Sequence, residues 1–264
     1  MAKTLKVAIG IPCYGDPKLK FTASLIQMLN HFHTANYTDA DGNPLDRIVE
    51  VFWVSTSNLL QSRHKIIADA TFWGADYLLF MDADHTFPKD ALARLWAHNL
   101  PIVGCNYARR IIPTAPTAAK IVTSDENEDQ KNLVYTTVEK AANGEVEEVD
   151  HLGLGLCLMD MRCIDVVQAH AEANGEKNFL PLFKFDTHEN GTSEIGEDVY
   201  FFNKLKKAGI KAYCDHALSW EVGHIHEAIM WNSTAVKHQE QWAQRQKELF
   251  DKFEKRAREM EGVE

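Results

Sequence analysis

The sequence predicts an α/β protein built on an open, largely parallel sheet with helices on both faces. Three observations predict it. Short apolar runs alternate four times with stretches of 3.6-residue periodicity in the first half of the chain. The runs are about five to eight residues long, the scale of strands buried in such a sheet. Gly, Pro, Asn and Asp punctuate the switches between them.

Taken in order, "LKVAIGIP" (residues 5–12) is an apolar run that stops at turn residues, a buried strand. Residues 17–35 carry a helical stripe of Leu25, Ile26, Leu29 and Phe32, which "TDADGNPLD" ends with Gly and Pro. "RIVEVFWV" (47–54) is the second strand, "NLLQSRHKIIADATFWG" the second helix, and "YLLFM" (77–81) the third strand. A short helix from Pro88 to His98 leads into "PIVGCNY", another buried strand. Residues 117–122, 133–138 and 145–150 read as short strands of a β-hairpin or meander insertion, separated by the acidic "SDENEDQKN" and by "KAANGE". "GLGLCLMD" returns to buried sheet and a helix follows over 162–173. "FLPLFKF" is a further apolar segment. The polar loop "DTHENGTSEI" precedes a helix with Val199, Phe202 and Leu205 in register, stopped at Gly209 before a last strand. The expected organisation is a domain over residues 1–226 and a C-terminal helical extension over 227–264. The extension's narrow stripe of Trp242, Leu249, Phe253, Ala257 and Met260 suits packing on the domain or on a second copy in a homodimer.

Composition narrows the function. With 264 residues, 45% hydrophobic and 25% charged, the chain can bury one sizeable core and is neither disordered nor fibrous. A formal charge of -10 speaks against a protein whose main affinity comes from neutralising many phosphates. Five cysteines without a C-x-x-C pair (Cys13, Cys105, Cys157, Cys163, Cys214) read as reduced, small apolar residues, which fits a cytoplasmic location. The N-terminus is strand-like and no apolar run is long enough to span a bilayer.

The chemistry concentrates in "FMDADHTFPKD". Asp82 and Asp84 leave a buried strand at its carboxyl end, where open α/β sheets bind ligands. Hard oxygen donors at i and i+2, just as the chain leaves the sheet, can converge on one Mg²⁺ or Mn²⁺ shared with phosphate. Capping of the helix after Pro88 is the bland alternative, but it leaves two acids at the end of a buried strand unexplained. As D-x-D-x-T the same residues match the nucleophile motif of haloacid-dehalogenase-like phosphatases, with Asp82 attacking phosphorus. That motif belongs on the first strand, and here it is on the third.

The pieces "VAIGIPCYGD", "NLLQSRHKIIADA", "YLLFMDADHTFPKDAL", "PIVGCNYARR", "HLGLGLCLMD", "GEDVYFFNKLKKAGIKAYCD" and "VGHIH", in this order, resemble GT-A fold glycosyltransferases, especially the inverting family 2-like group with small stand-alone bacterial and bacteriophage members. The resemblance covers residues 5–226. It implies a Rossmann-like mixed sheet, mostly parallel, and transfer of a sugar from a nucleotide-diphosphate sugar, UDP by default, to an acceptor hydroxyl. Pro12, Tyr14 and Asp16 would line the base, Arg63 would face the nucleotide, and Asp82 with Ala83 would meet the ribose. Asp82, Asp84 and His224, with His226 as the other choice, would hold the metal. A histidine beside carboxylates favours Mn²⁺ over Mg²⁺. Asp198, with Glu197 second, would take the acceptor proton, a role worth about 10²- to 10⁴-fold.

Further expectations concern the residues around this set. Arg109 and Arg110 follow a strand end, within reach of phosphate. Gly153 and Gly155 mark a close backbone approach to sugar or acceptor, or a strand bulge. Trp220, Trp231 and Tyr107 suit the core better than sugar stacking. The histidines at 31, 33, 64, 85, 98, 151, 170, 188, 216 and 238 show no ligand spacing. The loop "DTHENGTSEI" is expected to order over donor or acceptor. The acceptor, whether glycan, protein or hydroxymethylated DNA base, is not legible. A non-catalytic nucleotide-sugar binding module is the remaining alternative.

Overall fold

The computed structural model describes residues 4–38, 42–123, 129–176, 180–187, 194–226 and 229–260. Strands are β1 (Leu5–Cys13), β2 (Arg47–Ser55), β3 (Tyr77–Met81), β4 (His85–Thr86), β5 (Ile102–Gly104), β6 (Ala119–Thr123), β7 (Asp129–Leu133), β8 (Val146–Val149), β9 (Leu156–Asp160), β10 (Asp186–Thr187), β11 (Glu194–Ile195), β12 (Ala212–Asp215), β13 (Gly223–Ile225) and β14 (Ile229–Met230). Helices are α1 (Leu19–Thr34), α2 (Leu59–Trp73), α3 (Ala91–Ala97), α4 (Val138–Ala142), α5 (Arg162–Ala173), α6 (Glu197–Lys207), α7 (His216–Glu221), α8 (Asn232–Lys237) and α9 (Gln239–Met260).

A seven-stranded mixed sheet in the order β2-β1-β3-β9-β5-β12-β8 forms the centre. β1 runs parallel to β2 and β3, and β5 parallel to β12, while β9 and β8 run antiparallel to their neighbours. Alternate side chains along β1 and β3 serve two cores, because successive Cβ atoms of a strand point to opposite faces. Ala8, Leu78 and Phe80 face Ile66 and Ala70 of α2, Ile164 and Val167 of α5, and Phe201 and Leu205 of α6. Val7, Ile9, Ile11, Leu79 and Met81 face Phe21, Leu25, Met28 and Phe32 of α1, with Leu92 and Leu95 of α3. The expected α/β class, with helices on both faces, is therefore observed. α2 starts at an Asn58 side chain that accepts from the Gln61 amide, and it stops at Gly74 in the left-handed region at φ 73°.

Some expectations shift. On α1 the buried face is Phe21, Leu25, Met28 and Phe32, and Ile26 of the expected stripe is exposed. Residues 134–138 do not form a strand: the hairpin is β6–β7, its second strand takes up the end of the stretch read as an acidic loop and stops at Leu133, and the Thr137 side chain caps α4. The third strand of the expected insertion, β8, instead forms an edge of the central sheet beside β12. Only the ends of "DTHENGTSEI" are described, as the β10–β11 pair, so its expected ordering lies outside the described residues.

The C-terminal extension begins inside the fold. β14 pairs with β13, and the buried Asn232 donates to the carbonyl oxygens of Asn106 and Ser219. On α9, Trp242 is half-buried and Arg245 donates to the Ile112 carbonyl at 2.9 Å, while Leu249, Phe250 and Phe253 are exposed. The side chains of Ala257 and Met260 lie outside the described ones. All five cysteines are buried, as expected of small apolar residues. No helix among the described residues is long and apolar enough to cross a membrane.

Candidate functional site

The strand that ends at Met81 releases the chain at the carboxyl edge of the sheet, and backbone bonds then fix its course. The Asp82 amide donates to the Gly155 carbonyl at 3.1 Å, the Lys18 amide to the Ala83 carbonyl at 3.1 Å, and the Ile225 amide to the Asp84 carbonyl at 2.7 Å. Residues 85–86 become β4, which pairs antiparallel with β13 so that His85 lies opposite His224. That register brings a distant segment to the D-x-D turn.

One ligand atom from each of Asp84, His85 and His224 falls within 4.8 Å of the others. The His85 and His224 rings stack at 4.3 Å between centroids with 15° between planes, and Tyr107 meets His85 edge-on at 4.3 Å. The His224 Nδ1–H donates to the Ala108 carbonyl at 2.9 Å, which orients the ring with Nε2 toward Asp84 Oδ2, 3.6 Å away. Asp84 Oδ1 and His85 Nδ1 are 3.2 Å apart but out of line for a hydrogen bond, and both His85 ring nitrogens are buried without a partner among the described residues. Arg110 closes the group, with Nη1 2.7 Å from Asp84 Oδ2. Burial opposes ionisation of Asp84, yet the imidazoles of His224 and His85 hold its carboxyl well below the usual carboxylate range.

Asp82 faces elsewhere. Its Oδ1 lies 3.4 Å from Nη2 of Arg63, and the same guanidinium nitrogen lies 3.5 Å from Oε1 of Glu197. Arg63 is 3% exposed and stands over the Phe80 ring. It ties the end of β3 to the first turn of α6, so the D-x-D turn and the Gly196-Glu197-Asp198 start share one cation. Burial pushes the Glu197 carboxyl up, against the pull of Arg63 and with the repulsion of Asp198. Asp198 Oδ1 accepts from the Val199 amide at 2.7 Å.

The remaining expected residues fall at or near this edge. Pro12 is buried at the end of β1, and Tyr14 and Asp16 are exposed in the loop beyond it. His226 is exposed and outside the imidazole cluster. Tyr107 is buried, its hydroxyl accepts from the Gly155 amide at 3.1 Å, and burial raises its pKa well above the ordinary value. Trp220 is half-buried and Trp231 is 37% exposed. Gly155 is a close-approach site, but side chains of this chain fill the space. A Cβ there would sit 2.5 Å from His85 Cε1, and at Gly153 a Cβ would sit 2.1 Å from the Tyr107 hydroxyl.

The residue that sequence reasoning passed over is His85. It directly follows the D-x-D, but a lone histidine carries no spacing signal; the clue was "GHIH", whose short strand needs a partner. A second acid–imidazole group, Glu145, Glu147 and His216, is already neutralised. Lys120 reaches Glu147 at 2.6 Å, Lys140 pairs with the same carboxylate, and His216 Nε2 lies 3.0 Å from it.

No family model matches this chain, and no curated protein does. Among solved structures, it is similar to A197 from STIV, at 15% identity and a TM-score of 0.48, over 84% of this chain and 86% of that one. It is similar at the same TM-score, and 12% identity, to GalNAc-T7 in a crystal structure with UDP, GalNAc and Mn²⁺. That match covers 84% of this chain and 44% of GalNAc-T7, so this chain spans under half of that neighbour's length.

Proposed function

We propose that this chain is a metal-dependent glycosyltransferase that moves a sugar from a nucleotide-diphosphate sugar, UDP by default, to an acceptor hydroxyl with inversion. The observation that carries the reading is the convergence of Asp84, His85 and His224 at the carboxyl edge of the sheet, bridged through Asp82 and Arg63 to the acidic start of α6. The order of motifs that resembles GT-A glycosyltransferases supplies the substrate class.

The donor set fits a divalent cation. One carboxylate and two imidazoles suit a borderline ion such as Mn²⁺ better than Mg²⁺, and the partnerless nitrogens of His85 and the ring orientation that the Ala108 carbonyl gives His224 are features such a site needs. Asp84, His224 and His85 would hold the ion, and Asp82, if it turned from Arg63, would join them or meet the ribose. A bound cation would neutralise charge that develops on the departing diphosphate. Arg63 fixes the spacing between Asp82 and Glu197. Asp198 takes the proton from the acceptor hydroxyl, and Glu197, with its raised pKa, is second in line. Pro12, Tyr14 and Asp16 would border the base, and Arg109 would meet the acceptor or a phosphate. The exposed apolar residues of α9 keep a homodimer within this reading.

The test is a panel of nucleotide-sugars with Mn²⁺, read as sugar hydrolysis and as a shift in melting temperature. One donor should raise the melting temperature and be hydrolysed slowly. Asp84→Ala should abolish both effects, whereas Asp198→Asn should keep donor binding and lose about 10²- to 10⁴-fold in transfer. Phosphate release from simple esters through a covalent aspartyl-phosphate at Asp82, with no response to any nucleotide-sugar, would replace this reading by the phosphatase one.

A further inference from the structure

Asp84 is the most heavily engaged carboxylate of the site, and its partners differ in kind. His85 and His224 come from a small sheet whose register is fixed by β4–β13 pairing. Arg110 comes from a loop just beyond β5 and approaches from the solvent side. Its guanidinium is 44% exposed, against 0% for His85 and 12% for His224. The oxygen it takes, Oδ2 at 2.7 Å, is the one turned toward His224 Nε2 at 3.6 Å. A cation held by Asp84 and His224 together would need that same oxygen. A guanidinium and a divalent ion cannot both sit there: two cations about 4 Å apart repel even in a screened setting.

We propose that Arg110 is a removable occupant of the cation site. It neutralises Asp84 while no divalent ion is bound, and it transfers to the donor's diphosphate when one binds. This inference rests on the metal site of the proposed function. Withdrawal of Arg110 costs little, because a pair whose guanidinium is open to solvent contributes only modestly and Asp84 is its one ion-pair partner among the described residues. Asp84 itself stays put, since its carbonyl is held by the Ile225 amide and its carboxylate is 21% exposed. Once released, the planar fork of the guanidinium suits two phosphate oxygens. The device predicts an order: the divalent ion before the nucleotide.

The test uses the full chain and two ligands with opposite expected signs. Mn²⁺ is titrated calorimetrically into wild type, Arg110→Gln and Arg110→Lys without nucleotide, and UDP is then titrated into each at saturating Mn²⁺. Arg110→Gln should bind Mn²⁺ about 2- to 5-fold more tightly, because its competitor is gone. It should bind UDP about 5-fold or more weakly, because a charge-assisted contact is lost. Arg110→Lys keeps the charge without the fork, so it should match wild type for Mn²⁺ and fall between the two for UDP. An arginine that only supported the loop would weaken both ligands when replaced. Wild type that binds Mn²⁺ while Arg110→Gln binds it equally or less tightly overturns the competition, and unchanged UDP affinity overturns the transfer. Wild type that binds no Mn²⁺ overturns the metal site itself, and the inference with it.

Discussion

Replacing Arg63 with methionine is the sharpest probe of how the site is held together. The side chain is 3% exposed, and one nitrogen lies 3.4 Å from Asp82 and 3.5 Å from Glu197. At an effective dielectric constant near 20, each contact is a gross attraction of about 5 kcal/mol. Desolvation of the guanidinium consumes much of that, but breaking a buried pair by removing one partner leaves the other charge uncompensated and typically costs about 3–5 kcal/mol. The loss should depend on pH with a definite sign. Burial already raises the Glu197 pKa with Arg63 present, and without Arg63 it rises further. A carboxyl whose folded-state pKa lies above its unfolded value favours the folded state less as pH rises between the two. The deficit of Arg63→Met relative to wild type should therefore be smallest near pH 4.5, grow as pH rises through the folded pKa of Glu197, and then level off. Urea unfolding at several pH values measures it, and adding Glu197→Gln should recover part of the loss. A deficit under about 1 kcal/mol at neutral pH, no pH dependence, or no coupling between the two substitutions would refute the bridging role.

Three further outcomes follow from the same contacts. Gly155→Ala would place a Cβ 2.5 Å from His85 Cε1 and 2.9 Å from Tyr107 Cε1; overpacking two buried rings should cost about 1–3 kcal/mol in urea unfolding and weaken Mn²⁺ binding. His224→Ala and His85→Ala should each lower Mn²⁺ affinity about 10-fold or more by calorimetry, whereas His226→Ala should leave it unchanged. Glu147 is held at about 2 instead of 4.5: burial opposes this, and Lys120, Lys140 and His216 outweigh it. Its contribution is present at neutral pH and lost as pH falls from about 4.5 toward 2; with allowance for solvent screening, Glu147→Gln should cost about 1–2 kcal/mol at pH 7 and little at pH 2.

The frame of the fold was legible because local patterns carry it. Continuous apolar runs at 5–12 and 77–81 gave strands where β1 and β3 lie, and Asn58 and Gly74 bracket α2 with ordinary capping chemistry. What local pattern does not carry is direction and partner. "GLGLCLMD" reads as buried sheet, yet nothing within it states that β9 inserts antiparallel between β3 and β5. "EVEEVD" reads as a hairpin strand, and only its pairing with the distant β12 makes it a sheet edge. The misplaced strand at 133–138 has a different cause: "LVYTTV" has strand-like β-branched content, but the Thr137 hydroxyl accepts from the Lys140 amide and turns the chain into α4.

The site divides along the same line. Asp82 and Asp84 announce themselves, since two acids at the end of an apolar run have no packing rationale, and Glu197 and Asp198 open a helix in the expected way. The separate partners of the two aspartates are set by tertiary structure. Asp82 turns to Arg63 and Asp84 to two imidazoles, because β4 pairs with β13 in a register that sets His85 against His224. A one-residue slip in so short a ladder would move His224 off the face that His85 presents, since side chains alternate along a strand. Three features resist that slip: the Ala108 carbonyl that accepts from His224, the Tyr107 ring against His85, and the absence of a side chain at Gly155 that makes room for both rings. Gly155, expected at a close approach to sugar or acceptor or at a strand bulge, thus leaves the room in which the two imidazoles stack.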